Sequence, residues 1–160
     1  MRIRIEVLAE DLSEADHTDA ELDEILRLVA GNPKTSHEIL NAVSKQTSPS
    51  VLQEVAQNPH TDLGTLDDLL HDPRPQVRAA LTSHPNVINF VWKLVADTSP
   101  VVRYRVAKTQ GLPEHVYEAL LHDCDFNVRK RAELSLNTLR QAENVLVWLS
   151  DVFSGRRKAS

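Results

Sequence analysis

At 160 residues, 41% hydrophobic and only 4% aromatic, the chain is long enough for one compact unit or one short repeat array, with a core built from Leu, Val and Ala. No apolar run reaches the roughly 18–20 residues a membrane span needs, the acidic stretch after Met1-Arg2-Ile3-Arg4 is not expected to act as a secretory signal, and the lone Cys124 excludes an internal disulfide or a thiolate metal cluster. The net charge of -5 is uneven: residues 1–24 carry nine carboxylates against two arginines, a balance of -7, leaving +2 on the other 136. A reducing cytoplasm is the expected location.

In chain order, residues 1–8 alternate Met1, Ile3, Ile5 and Val7 with Arg2, Arg4 and Glu6, which is strand periodicity. Such a strand has no ladder partner in a helical chain. It could pair with its copy in a second chain, giving a homodimer, or lie extended along the first helix. Thr18-Asp19-Ala20-Glu21 reads as a capping box that opens a helix to about Ala30, stopped by Gly31-Asn32-Pro33.

From there the chain repeats itself. Val51-Leu52, Val77-Arg78, Val102-Arg103 and Val128-Arg129 recur at intervals of 26, 25 and 26 residues, and Ile25-Leu26 extends the register backwards by 26. A fixed period of that size marks a supersecondary block that must stack on its neighbours to bury its apolar side. Pro49, Pro75 and Pro100 each stand two residues before the repeat valine, and Ser48 and Ser99 are placed as N-caps. Breaks fall at Asn32-Pro33, Asn58-Pro59, His84-Pro85 and Gly111 with Pro113, so second helices are predicted at about 35–46, 61–71, 87–97 and 113–123. The apolar stretch Val145 to Val152 is expected to close the array as a capping helix. The expected organisation is an acidic segment 1–17, a repeat array 18–135, a capping helix 136–155 and a basic tail 156–160.

The segments Asp72-Pro-Arg-Pro-Gln-Val77-Arg78, Asp97-Thr-Ser-Pro-Val-Val102-Arg103 and Asp123-Cys-Asp-Phe-Asn-Val128-Arg129, with the turns Ala30 to Pro33 and Ala56 to Pro59, resemble the leucine-rich repeat variant family, a HEAT-like style of repeat. The resemblance covers about residues 25–135. It implies an all-α, short right-handed α-solenoid of about four to five repeats of ~26 residues, regular helices alternating with shorter, tighter ones. It implies no reaction. Some members carry an iron–sulfur cluster on an N-terminal cysteine group, which is absent from this sequence, so no cofactor is expected.

Asp72, Asp97 and Asp123 each precede Arg78, Arg103 and Arg129 by six residues. The resemblance to HEAT-like arrays implies bonds between neighbouring blocks at such positions, and the identical spacing in each block favours this structural ladder over three catalytic acid–base pairs; charge-assisted bonds of that kind order a stack. The first block has Gln46 and Leu52 instead, so the ladder should be missing there. His71-Asp72 and His122-Asp123 sit on separate blocks, which does not suit convergence on one metal. Cys124 is read as a small turn residue rather than a nucleophile.

Departures from the repeat mark candidate surfaces. Five residues before the ladder aspartates stand Asp67, Trp92 and Glu118, so Trp92 falls where its siblings put charge; either it is a solvent-facing hot spot, or its apolar helix turns it into the core. Two and three residues after the repeat valine come Gln53-Glu54, Ala79-Ala80, Tyr104-Arg105 and Lys130-Arg131. This pair is predicted to face outward, giving a stripe that grades from acidic to basic, widened by Lys108. The candidate binding surface is therefore Trp92, Tyr104, Arg105, Lys108, Lys130 and Arg131. Residues 9–24, if they fold back, could screen it.

These features point to a non-catalytic binding module with another protein as partner. Nucleic acid is the alternative, since basic groups interleaved with an aromatic suit a phosphate backbone, although a body of +2 would neutralise few phosphates.

Overall fold

The computed structural model describes residues 19–45 and 48–154, so the alternating segment 1–8, Thr18 of the capping box, Gln46 and the tail 156–160 lie outside the described residues. Within them the fold is all-helical. Helix α1, Asp19–Gly31, opens with Asp19 and Glu21 in its first turn, where carboxylates complement the helix dipole. It ends at Gly31, before Asn32-Pro33, as the breaker signals require.

The prolines set the next starts. Helices α3 (Pro49–Gln57), α5 (Pro75–Ala80) and α7 (Pro100–Lys108) each begin on proline, where the missing amide is one the helix would leave unpaired. Between and after them run α2 (His37–Val43), α4 (Leu63–Leu70), α6 (Val91–Val95) and α8 (Glu114–Leu120), followed by α9 (Phe126–Phe153). Each of α1, α3, α5, α7 and α9 packs on the next in that series. The repeat valines Val51, Val77, Val102 and Val128 are all fully buried, as are Val55, Leu81, Val106 and Ala132 one turn on. A residue four places along a helix lies on the same face, so each block contributes the same two knobs to one continuous core.

Three local expectations are corrected. Ser48 and Ser99 take the extended N-cap backbone but make no side-chain cap bond; Ser48 Oγ pairs with Ser50 Oγ, and Ser50 donates to Asp23. Side-chain caps come instead from Asp62, on the Thr65 amide, and Asp125, on the Asn127 and Val128 amides. The stretch predicted as one helix over 87–97 is a 3-10 turn, Val87–Asn89, followed by α6. Its β-branched Val87-Ile88 pair lowers helix propensity, and the tighter turn still buries Val87 and Phe90.

The largest difference lies at the end. No glycine or proline stands between Pro113 and Gly155, so α9 runs unbroken across the boundary expected at 135/136. Its first half buries Val128, Ala132 and Leu136 against α7 and α8. From Gln141 onward its residues are exposed apart from half-buried Leu149 and Asp151. The segment Val145 to Val152 therefore does not cap the array. At 1.5 Å per residue, residues 141–153 add roughly 20 Å of helix past the packed part.

Candidate functional site

The aspartates and arginines form a continuous buried chain of bonds. Arg78 donates through Nε and Nη2 to the Asp97 carboxylate at 2.7 and 2.9 Å, and through Nη1 to the Asp72 carbonyl at 2.7 Å. Arg103 repeats this one block on, to Asp123 at 2.6 and 2.9 Å and to the Asp97 carbonyl at 2.8 Å. Each aspartate also accepts the amide two residues later (Arg74, Ser99 and Asp125), which closes the turn that starts the following helix. The carboxylate thus pairs with the arginine of the preceding block, while the residue six places on reaches only its carbonyl.

These pairs are well shielded: the side chains of Arg103 and Asp123 are 10% and 5% exposed. At Asp97 desolvation is the largest single influence, but the Arg78 bond, the Ser99 amide and the guanidinium charges together hold the carboxyl below the usual aspartate range; at Asp123 the Arg103 bond leads and does the same, and these bonds raise Arg78 and Arg103. These pairs tie each block to the next. At the first end, where Leu52 replaces the ladder arginine, Asp72 is closed by its own neighbour Arg74, at 2.9 and 2.7 Å.

A second set of turns repeats beside the first. Asn32 Oδ1 accepts from the Lys34 amide, Asn58 Oδ1 from the His60 amide and His84 Nδ1 from the Asn86 amide, at 2.9, 3.0 and 3.0 Å. Asn58 also reaches back through Nδ2 to the carbonyls of Ala30 and Asn32. Thr35 to Val29 and Thr61 to Val55 recur with identical 2.6 Å bonds. Gly111 occupies the corresponding break in the next block, with φ at +77°, a conformation that glycine adopts without steric cost.

The predicted basic stripe is divided. Arg105 and Lys108 are exposed on α7 and line an open cavity of about 700 Å³ with His84, Ile88, Gly111 and Leu112, between the turns of two successive blocks. Neither makes an ion pair within the described residues. Tyr104 is 40% exposed beside them, outside the cavity lining. Lys130 is exposed but belongs to a different cavity, near Phe126 and Arg129. Arg131 is half-buried, with Nε shielded and unbonded, near enough to Tyr117 to bear on its hydroxyl. The pair rule also fails at Ala79, 5% exposed, because an alanine side chain ends at its methyl and remains in the core.

Trp92 faces solvent, 50% exposed, rather than turning into the core. It stacks on His115 of the next block, with ring centroids 5.7 Å apart. Its siblings also link forward, Asp67 to Lys93 and Glu118 to Arg140. The slot thus connects successive blocks, by charge in two and by aromatic stacking in the third.

The surface that sequence reasoning missed is the projecting half of α9. Val145, Leu146, Trp148, Val152 and Phe153 are all exposed, Phe153 to 85%. At 100° per residue they centre roughly 120° around the helix from the Val128-Ala132-Leu136 face. That angular offset, and the missing breaker, were the available signals. Because the segment packs so little, deleting residues 141–160 is expected to shift the unfolding free energy by less than about 1 kcal/mol. Urea denaturation followed by circular dichroism checks this; a loss of several kcal/mol would mean the segment braces the array.

Among the described residues, no helix is long and apolar enough to cross a membrane. No family model matches the chain, and neither a curated protein nor a solved structure matches it.

Proposed function

We propose that the chain is a short, non-catalytic α-solenoid of the leucine-rich repeat variant or HEAT-like style that binds another protein. The observation that carries this reading is the arc of α9 that no described residue covers. Val145, Leu146, Trp148, Val152 and Phe153 form a contiguous apolar surface rich in the aromatic residues that dominate protein interfaces. Water is a poor neighbour for it, and an apolar groove on a partner is a good one. Arg105 and Lys108 add a positively charged contact for an acidic part of the same partner. Two cations at a cavity mouth offer little grip on a phosphate backbone, whose affinity grows with the number of phosphates neutralised.

The test compares three forms of the tagged chain in extracts of its native cell: wild type, Leu146→Glu with Trp148→Glu, and Arg105→Glu with Lys108→Glu. The first double variant is expected to lose a protein that wild type retains, and to lose it equally in low and high salt. The second is expected to weaken retention mainly at low salt. Retention of the same protein by the α9 variant would overturn the reading. So would steeply salt-dependent binding of mixed-sequence duplex DNA. Sedimentation of the purified chain shows whether the partner is a second copy.

A further inference from the structure

The ladder is closed at one end and open at the other. Arg78 and Arg103 each use Nη1 on the carbonyl of their own block's aspartate, and present Nε and Nη2 to the carboxylate of the next block. Arg129 repeats the first half of this arrangement. Its Nη1 donates to the carbonyls of Asp123 and Cys124 at 2.7 and 3.0 Å. No carboxylate among the described residues meets its other edge. Arg129 also lines a cavity of about 500 Å³ together with Leu121, Phe126, Lys130 and Glu133. Phe126 is 63% exposed and carries the guanidinium over its ring at 5.8 Å.

We infer that the Arg129 edge, with Phe126 and Lys130 around it, is a binding seat for an aspartate presented by a helix-opening turn of a partner protein. The occupant is specified by the molecule itself. Asp97 and Asp123 meet the same guanidinium edge twice within this chain, each in a turn where one carboxylate oxygen also accepts the amide two residues on. The bidentate geometry selects a carboxylate over a neutral amide. Glu133 on the cavity wall leaves the seat with one net positive charge, enough to favour an acidic turn. Asp72 shows what an internal solution looks like: its missing partner is replaced by Arg74. Among the described residues Arg129 has no such substitute. The seat lies on the ladder and the first two turns of α9, well before Leu146 and Trp148, so the variants of the projecting part described above leave it intact.

The probe is a peptide copying residues 120–128 of this chain, with blocked ends and in reducing buffer, added to the full-length protein labelled with nitrogen-15. The readout is the Nε–H resonance of Arg129. A saturable shift of this signal is expected, with the Nε–H resonances of Arg78 and Arg103 unmoved as internal evidence that the ladder is intact. Two control peptides carry equal net charge: one with Asp125→Asn, which keeps the ladder aspartate, and one with Asp123→Asn, which lacks it. The second is expected to bind about tenfold more weakly than the first. In Arg129→Lys, where binding is followed instead by the backbone amide resonances of Phe126 and Lys130, that difference should disappear. An unmoved Arg129 signal would overturn the inference, and so would equal responses to the two isocharged peptides, since charge alone would then explain them.

Discussion

Replacing Arg103 by alanine is expected to cost about 2–3 kcal/mol of unfolding free energy, against less than about 1 kcal/mol for the same change at Arg129. The two arginines occupy the same slot in adjacent blocks, so helix propensity and unfolded-chain effects nearly cancel between them. What differs is the partner. Arg103 is 8% exposed and binds the Asp123 carboxylate through two nitrogens and the Asp97 and Thr98 carbonyls through a third. Removing it strands a shielded carboxylate, which is far costlier than losing an exposed ion pair. Urea denaturation of both variants at neutral pH checks the contrast, and equal losses would mean the ladder adds little beyond surface charge. The ladder also has a pH signature. The folded-state pKa values of Asp97 and Asp123 are lowered, so their contribution is complete above the unfolded value near 3.9 and disappears as pH falls through the folded values beneath it. Arg103→Ala should flatten the part of that acid limb owed to Asp123.

The second large effect is expected higher on the pH scale, at His84. This residue takes the slot that Asn32 and Asn58 fill in the earlier turns, and it is almost fully buried. Burial pushes the imidazole below its usual 6.5, and the Asn58 backbone offsets only part of that. The folded chain therefore holds a neutral ring where the unfolded chain binds a proton. The sign follows directly: stability is complete above about pH 6.5 and declines below it, by at most about 1.4 kcal/mol per pH unit, until the folded pKa is reached. The ladder carboxylates remain ionised through this window, so the two limbs separate. His84→Asn should keep the turn, because asparagine serves it twice elsewhere, and should remove the decline below about pH 6.5. His84→Ala should cost about 2–3 kcal/mol at neutral pH through the lost turn bond and the cavity left behind. Denaturant midpoints measured from pH 8 to 5 check both variants; an unchanged slope in His84→Asn would assign the effect to another group.

Much of this architecture is legible in the chain because the signals are local and repeated. Proline at the first helical position, Asn-Pro breaks and buried valines at a fixed interval act within a few residues, and α3, α5 and α7 begin where those signals place them. The ladder was legible as spacing and as a link between neighbouring blocks, though which neighbour each carboxylate meets was not. Six residues separate Asp97 from Arg103, yet the carboxylate of Asp97 belongs to Arg78, because which guanidinium edge meets it is decided when two blocks stack. The outward stripe was read from equivalent slots two and three residues after each repeat valine. It held at Tyr104, Arg105 and Lys130, failed at Ala79, and left Gln53, Glu54, Ala80 and Arg131 half-buried, where reach and neighbours differ.

The order of residues alone determined the helical blocks, their period and the burial of each repeat valine, since hydrophobic spacing and backbone stereochemistry act over one or two turns. Only the tertiary structure decided what becomes of the ends. Arg74 closes the ladder at Asp72 while Arg129 is left facing an open cavity, and the apolar stretch after Gln141 rides out on an unbroken helix instead of folding back. Both outcomes depend on whether a neighbouring block exists to receive a side chain. That is a fact about contacts between distant residues, and no local pattern in the chain encodes it.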